Sequence, residues 1–262
     1  MVAVTLLLKA YGKPQLKIVD GLFASMLGGL KVKLEPCRIG SRGWVQTGVS
    51  GEDETIALNL LAREVGLCPV GLDAVEKFAT LKGYVTAFDK NKGLVNVDVG
   101  FLSSEAVEAK VPLRDLQAQL ADGRKVALDK FVKLFGLSKN QTLLVKVISV
   151  ETREGGFEAS LAESQVSQYR RWASSLLDRL VVLRASRDAV EQALKRAECL
   201  RDVVDVESLG LFEHAVVCKL GTDAVGLIPK LGRCLPYAVF SVFSPRRLLE
   251  FFGEDSNLFV LS

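Results

Sequence analysis

The chain has 262 residues, of which 49% are hydrophobic and 25% are charged, as expected for a folded protein with a sizeable core. Its length predicts two or three small domains. Five scattered cysteines without a CxxC pair, and a single histidine, argue against a disulfide framework and against a zinc site. The first apolar run is too short for a membrane span and lacks the basic leader of a secretory signal, so we expect a soluble cytoplasmic protein with no membrane partner.

The net charge of +3 is unevenly distributed along the chain. Residues 1–50 contain seven basic and two acidic side chains and carry +5, whereas the remaining residues sum to −2. Phosphate contacts depend on nearby charge and not on the total, so this asymmetry favours a local anion-binding face. A solvated basic surface is the alternative.

Residues 1–75 predict an N-terminal α+β domain. Apolar periodicity indicates a strand, a helix, two strands and a second helix, over residues 2–10, 15–29, 30–39, 43–51 and 52–66. Acids in the first turn and Gly66 at the end mark the limits of the second helix. This order fits a ferredoxin-like unit, in which both helices cover one face of an antiparallel sheet and leave the other face free.

The free face is where the basic residues of this domain are expected to gather. Lys31 and Lys33 alternate with apolar neighbours, and a turn rich in cations follows them. Cations beside an aromatic ring suit a nucleic-acid strand, which presents phosphates and bases. The candidate contacts are Lys31, Lys33, Arg38, Arg42 and Trp44. Lysines that protect a sheet edge from aggregation, and a core role for Trp44, are the alternatives.

Residues 76–165 predict a barrel. The stretch LKGYVTAFDKNKGLVNVDVG (81–100) is a hairpin, a third strand passes near Val111, a helical excursion follows, and a closing hairpin turns at Arg153 to Gly156. Five strands with a helical insertion describe a small closed barrel of the OB kind.

This barrel resembles the RNA-binding module repeated in the largest bacterial small-subunit ribosomal protein. The resemblance rests on Gly83-x-Val85, on residues 93–100, on Val111-Pro112-Leu113, and on residues 144–150 and 157–161. It implies RNA binding, but the places of the family's two stacking aromatics hold Asn91 and Leu94. The candidate contacts that remain are Lys82, Tyr84, Lys90 and Lys92.

Strict alternation puts Tyr84 and Phe88 on the same face as Lys82 and Lys90, unless a bulge lies between the two aromatic residues. A core position for Phe88 is the favoured alternative. The sequence therefore leaves open which of these side chains face a ligand.

Residues 166–262 predict a linker helix and a C-terminal α+β domain. In the helix, Val166, Tyr169, Trp172 and Leu176 recur at helical spacing, so Trp172 is interpreted as a packing residue. A strand, a helix capped by Ser186 and two strands follow, and the chain closes with a turn at Ser244-Pro245, a short helix and a final strand FVLS. The predicted fold class is α+β, with a ferredoxin-like unit, an OB-like barrel and a second α/β unit.

Residues 221–245, GTDAVGLIPKLGRCLPYAVFSVFSP, taken with the barrel and the chain length, resemble an archaeal family known as a domain of unknown function, the 2110-like family. The resemblance implies an archaeal cytoplasmic protein. It supplies no catalytic residue.

The residues themselves give little support for an enzyme. The sequence contains neither GxGxxG nor GxxxxGK[ST], so no phosphate-cradling loop is expected. His214 and Cys218 share a face of a predicted strand, but four residues separate them by about 13 Å, too far for direct contact. Asp223 is interpreted as a turn residue. We expect neither a cofactor nor a metal.

The sequence therefore favours a non-enzymatic protein of the archaeal translation or transcription apparatus that binds RNA or an RNA-containing assembly. The alternative is a protein–protein adaptor in that apparatus without nucleic-acid contact. An enzyme acting on nucleic acid or a nucleotide ranks third.

Overall fold

The computed structural model describes residues 2–71, 75–101, 107–151 and 156–259. The chain divides into two compact units, Met1–Ala74 with Val99–Ser103 and Val75–Asp98 with Ser104–Ser262. Helices, two antiparallel sheets and a closed barrel make up the described residues, so the predicted α+β fold class is confirmed. Within these ranges, each helix is too short or too polar to cross a membrane.

The first unit follows the predicted order of elements. These are β1 (Val2–Lys9), α1 (Lys13–Met26), β2 (Val32–Leu34), β3 (Arg38–Ile39), β4 (Trp44–Gly51) and α2 (Glu54–Glu64). β4 pairs with β1 on one side and with β2 and β3 on the other, all antiparallel, and Leu67 forms a single bridge to Leu6 in β1. This is the strand order of a ferredoxin-like sheet whose last strand is reduced to one bridge.

The two faces of this sheet differ in burial. The core residues of the unit include Leu6, Val19, Phe23, Val45, Val49, Ala57 and Leu61. Because side chains alternate along a strand, Gln46 and Ser50 lie on the face opposite Val45 and Val49. Lys33 pairs with Ser50 and Arg38 pairs with Gln46, so both cations stand on that opposite face.

The second unit begins with the predicted barrel. Its elements are β5 (Thr80–Asp89), β6 (Leu94–Asp98), β7 (Glu108–Pro112), α3 (Leu113–Leu120), α4 (Leu128–Leu134), β8 (Thr142–Val147) and β9 (Gly156–Leu161). The strands close in the order β5-β6-β7-β9-β8, with β7 and β9 parallel and the other pairs antiparallel. Two helices lie between the third and fourth strands, which is the connectivity of an OB-type Greek-key barrel.

A bulge decides which side chains of β5 face the barrel interior. The register with β6 shifts between Val85 and Ala87. Val85 pairs with the buried Val97, and beyond the bulge Phe88 pairs with the buried Val95. Phe88 therefore points inward, whereas Tyr84 points outward, so strict alternation was wrong. Phe88 lies on the side that the core interpretation requires, but it is only half-buried.

After the barrel come α5 (Glu163–Ser174), β10 (Arg179–Leu183), α6 (Arg187–Arg196), β11 (Val203–Ser208), β12 (Glu213–Cys218), α7 (Ala224–Cys234), β13 (Val239–Phe243) and α8 (Pro245–Phe252). The strand order β11-β12-β10-β13 is antiparallel throughout, so this part is a complete β-α-β-β-α-β ferredoxin-like sheet. Ser186 caps α6 as predicted, since its hydroxyl accepts the N–H of Ala189 at 3.3 Å. Trp172 of α5 is buried and lies 5.3 Å from the ring of Phe243, which confirms it as a packing residue.

The end of the chain departs from the prediction in two places. The fourth strand is β13, not FVLS, of which Phe259 ends a 3-10 turn and residues 260–262 lie outside the described ranges. The helix α7 was not predicted, because Pro229 and two glycines give its sequence the appearance of a loop. A proline costs a helix one backbone hydrogen bond, and the burial of Leu227 and Leu231 on one face outweighs that cost.

Candidate nucleic-acid interface

The five candidates of the N-terminal unit do not form one surface. Lys31 is exposed and its Nζ lies 2.7 Å from Glu52 Oε2. Arg38 is exposed and lies 3.4 Å from Glu35 Oε2. Lys33 is exposed and has no ion-pair partner among the residues that the structure describes. The positive charge of this face is therefore partly neutralised by its own carboxylates.

The other two candidates have structural roles. Trp44 is 1% exposed, with the ammonium of the buried Lys9 lying 4.6 Å from the centre of the ring. Arg42 has φ 56° and donates a hydrogen bond to the carbonyl of Phe101. The structure corrects the assignment of Trp44 as a base-stacking platform, because its ring offers almost no surface to a ligand. The guanidinium of Arg42 likewise has a structural role, because it is hydrogen-bonded to the backbone of Phe101.

The barrel candidates divide likewise. Tyr84 is 1% exposed, so its assignment as a nucleic-acid contact is also wrong, although the side chain points outward from the barrel. Lys82 is partly buried. Burial raises the pKa of Glu213 to about 7, and the positive charge of Lys82 acts on that carboxyl in the opposite direction. Lys90 lies 2.8 Å from Asp129. Lys92 is exposed in the hairpin turn, where Asp89 Oδ1 accepts the N–H groups of Asn91 and Lys92, both at 3.0 Å.

The two positions that hold aromatic residues in the resembling module lie on the barrel as expected. Asn91 is exposed in the turn, and Leu94 is partly buried at the start of β6. A shallow cavity of about 250 Å³ lies beside Leu94, with Lys110, Ser149, Glu151 and Glu158 among its lining residues. Its charges are mixed, because Lys110 lines it together with two carboxylates, and Glu158 also forms an ion pair of 2.6 Å with Arg114. The one aromatic residue among the described lining residues, Phe157, is 1% exposed, so the cavity can accept a polar chain but presents almost no ring surface to a base.

An exposed ring occurs elsewhere on the barrel, at Phe78. Its side chain is 57% exposed, its N–H donates to the carbonyl of Val147 at 2.9 Å, and its φ is 70°. The ammonium groups of Lys77 and Lys146 lie 5.0 and 5.7 Å from the centre of the ring. Sequence reasoning missed this residue, because an aromatic residue in a turn before a strand looks like the edge of a core.

The backbone at Phe78 is unusual for its residue type. The N–H of Ala79 donates to the carbonyl of Glu76 at 3.1 Å, which closes a turn with Phe78 in the left-handed region. Such a turn position favours glycine or asparagine. A bulky residue there costs free energy, and an exposed ring recovers little of it by burial. The chain thus maintains an aromatic surface between two cations at an energetic cost.

His214 and Cys218, the two side chains considered for nucleophilic catalysis, are buried. Burial lowers the pKa of His214 and raises the pKa of Cys218 to about 12, so at neutral pH the imidazole is neutral and the thiol is protonated. Asp223 is the N-cap of α7, its Oδ1 accepting the N–H of Val225 at 2.9 Å, so its role is structural, but at the start of a helix and not in a turn as expected. In the part of the chain that the structure describes, no three histidine, cysteine, aspartate or glutamate side chains are placed to hold a metal ion.

The fold defines an α+β protein in which an OB-type barrel lies, in sequence, between two ferredoxin-like sheets. The model of the DUF2110 N-terminal domain matches residues 3–69, and the model of the DUF2110 C-terminal domain matches residues 177–243. Together these two models cover about half of the chain, which belongs to the DUF2110 family. The predicted resemblance to this family is confirmed.

No curated protein matches the sequence. Among solved structures, the chain is similar to the uncharacterized protein MJ1198 from Methanocaldococcus jannaschii, at 17% identity over 34% of this chain and 95% of that one, with a TM-score of 0.23. It is also similar to the intact alpha subunit of aIF2 from Pyrococcus abyssi, at 11% identity over 64% of this chain and 96% of that one, with a TM-score of 0.24.

Proposed function

We propose that this protein binds single-stranded RNA without catalysing a reaction, and that it acts in the archaeal translation or transcription apparatus. The observation that carries the proposal is the exposed ring of Phe78 between the ammonium groups of Lys77 and Lys146. Rings stack on bases of any sequence, and cations beside them hold the phosphates that flank a stacked base. The assignment to this apparatus follows the sequence resemblance of the barrel to the ribosomal RNA-binding module.

The barrel type supports the same proposal. OB-type barrels bind oligonucleotides with their outer strands and connecting loops. Phe78 precedes β5, and Lys146 is paired with Thr80 at the end of β8, so both belong to the barrel. Lys146 Nζ lies 3.6 Å from Glu163 Oε1, a surface pair that phosphate can replace at little cost. The non-enzymatic part of the proposal rests on the buried states of His214 and Cys218.

Substitutions at Phe78 separate binding from folding. Phe78→Gly removes the ring and suits the left-handed backbone, so we expect RNA affinity to fall by about 1–3 kcal/mol while thermal stability stays the same or rises. Phe78→Tyr keeps the ring and should retain affinity. Fluorescence anisotropy of a labelled single-stranded oligoribonucleotide with the full chain, and a thermal melt, measure the two quantities.

Tyr237→Gly is the matched control, because Tyr237 is 54% exposed in the same unit. It should leave RNA affinity unchanged. Equal affinities of the wild type, Phe78→Gly and Tyr237→Gly would refute the stacking role. If the protein has no RNA affinity but forms a salt-resistant complex with another protein, the adaptor function is supported instead. The ion pairs that neutralise Lys31, Arg38 and Lys90 favour this second function.

The N-terminal sheet supplies a second test of RNA binding. Lys33 and Arg38 stand on the same face, and each phosphate contact to a single strand contributes about 0.7 to the salt slope of binding. If both contact RNA, the double variant Lys33→Gln/Arg38→Gln should lower the magnitude of that slope by about 1.4 without a change in folding. Titrations at several salt concentrations measure the slope. Lys13→Gln/Lys17→Gln on α1 is the control, and an equal fall in both variants would show a nonspecific effect of net charge.

A further inference from the structure

A groove of about 640 Å³ lies on the C-terminal part of the second unit, away from the barrel residues discussed above. It is formed by the turn after α5, the loop between β12 and α7, and the first turns of α8. Its lining residues include three cations, Lys219, Arg246 and Arg247, and three carboxylates, Asp178, Asp223 and Glu250. Cations and carboxylates are equal in number, so the charge that the groove offers a ligand depends on which of these groups already have partners within the fold.

The three carboxylates are all engaged by the fold. Asp178 Oδ2 accepts the N–H of Ala224 at 3.4 Å, and Asp223 Oδ1 accepts the N–H of Val225 at 2.9 Å. Both therefore neutralise the start of α7. Glu250 forms an ion pair with Arg246, which lies on the preceding turn of α8, at 3.0 Å. Each of the three carboxylates therefore has its own partner within the fold, and among the described residues Arg246 is the one cation of the groove that they occupy.

Two of the three cations that line the groove are left without such a partner in the part of the chain that the structure describes. Within the described residues, Lys219 and Arg247 have no ion-pair partner. The backbone N–H groups of Arg246 and Arg247 in the first turn of α8 likewise have no acceptor there, because Leu248 is the first residue whose N–H bonds back, to the carbonyl of Ser244. The start of this helix thus carries unmet N–H groups and a positive dipole end.

Ser244 is the independent sign of a ligand. Its residue is only 5% exposed and lines the groove, yet its hydroxyl makes no capping hydrogen bond to α8 and has no other partner in the described part of the chain. A serine before a helix ordinarily caps it. Two arginines in the first turn oppose the helix dipole, which destabilises an isolated helix. A bound anion removes both penalties.

We infer that this groove binds a phosphate monoester, held by Ser244, Lys219, Arg247 and the first N–H groups of α8. A monoester carries close to two negative charges at neutral pH. Lys219 and Arg247 are the cations of the groove that no carboxylate of the described residues pairs with, so they are the ones available to such a group. Leu176 and Leu220 line the same groove and are 52% and 77% exposed, so they offer an apolar surface to the group that bears the phosphate. A nucleotide, free or at the 5′ end of an RNA, has this combination of groups.

The inference goes beyond RNA binding by the barrel and uses none of its residues. The full chain is titrated with adenosine 5′-monophosphate, with inorganic phosphate, and with one oligoribonucleotide carrying either a 5′-phosphate or a 5′-hydroxyl. We expect the monophosphate and inorganic phosphate to bind, and the 5′-phosphate to strengthen RNA binding about tenfold, as a charge-assisted contact would. Binding of the monophosphate alone, with no preference for 5′-phosphorylated RNA, would identify a free nucleotide as the source.

Variants locate the site. Arg247→Gln and Ser244→Ala should each weaken binding of the monophosphate about tenfold, whereas Arg233→Gln, at an exposed arginine of α7 outside the groove, should not change it. Lowering the pH below about 6 should weaken binding as the monoester takes up a proton. Binding that is absent, or that is equal in the wild type, Arg247→Gln and Ser244→Ala, would overturn the inference. If Phe78→Gly loses RNA affinity and Arg247→Gln keeps it, the result bears on RNA binding by the barrel and leaves the groove to be judged by binding of the monophosphate.

Discussion

Trp44→Ala should lower the free energy of unfolding of the first unit by about 3–5 kcal/mol, since the ring is fully enclosed and alanine leaves a cavity in its place. Trp44 is the first residue of β4, and the ammonium of the buried Lys9 lies 4.6 Å from the centre of its ring. Removing it therefore also leaves a buried cation without its aromatic neighbour. Exchange of the amide protons of β1 and β4 measures the loss within this unit.

Trp44→Phe is the conservative control, and it should retain most of the stability because a ring still fills the site. The second tryptophan, Trp172, belongs to the other unit, and its fluorescence should report an unchanged unfolding transition there. RNA affinity measured well below the melting temperature should be unaffected by Trp44→Phe. A normal melt together with a loss of RNA affinity in Trp44→Ala would contradict the structural role and restore the base-stacking assignment.

The sequence predicted the order of elements well where apolar periodicity and caps agree. α2 has acids in its first turn, α6 has Ser186 as its cap, and β5 and β6 are joined by a short charged turn with glycine at its end. Each of these is a local signal that requires no knowledge of distant contacts. The OB-type barrel was predicted for the same reason, since its hairpins and helical insertion are recorded in the chain order.

The misassigned residues depend on contacts that the local sequence does not contain. The bulge in β5 puts Tyr84 and Phe88 on opposite sides of the strand, and only the register with β6 reveals which of the two alternatives holds. Arg42 had the charge of a phosphate ligand, but its hydrogen bond goes to the carbonyl of Phe101, 59 residues away. Tyr84 and Trp44 were assigned as ligand contacts because strand alternation predicts the face on which a side chain lies. It cannot show whether another part of the chain covers that face.

The candidate site was least accessible to sequence reasoning. Phe78 is a single aromatic residue in a turn, and its partner Lys146 lies on a strand that is distant in sequence. Leu176 was expected to continue the apolar stripe of α5, but the helix ends at Ser174 and Leu176 turns outward with φ 55°. Each of the two surfaces proposed for ligands thus includes an exposed apolar residue with a left-handed backbone, Phe78 in one and Leu176 in the other. Such locally unfavourable residues are expected at functional sites.

Glu213→Gln should raise the stability of the second unit at pH 8 and remove part of its pH dependence. Glu213 begins β12 and is fully buried; its Oε2 accepts the N–H of Phe212 at 3.4 Å, and its Oε1 has no hydrogen-bond partner among the described residues. Burial raises the pKa of this carboxyl from 4.5 to about 7, although Lys82 and the N–H of Phe212 act in the opposite direction. Near neutral pH the folded protein therefore holds a proton here that the unfolded chain has released.

The sign of the pH effect follows from that proton. Between pH 4.5 and about 7 the folded state binds more protons at Glu213 than the unfolded state, so stability falls as the pH rises through this window, by about 3 kcal/mol in total. Urea unfolding of the wild type and of Glu213→Gln, from pH 4 to pH 8, isolates this contribution as the difference between the two curves. Lys82→Met should steepen the loss, because it removes the charge that favours the ionised carboxylate, whereas Glu254→Gln, at an exposed carboxylate, should leave the wild-type curve unchanged. Parallel curves for the wild type and Glu213→Gln would show that the carboxyl titrates alike in the folded and unfolded chains, and would return Lys82 to the set of residues available for RNA.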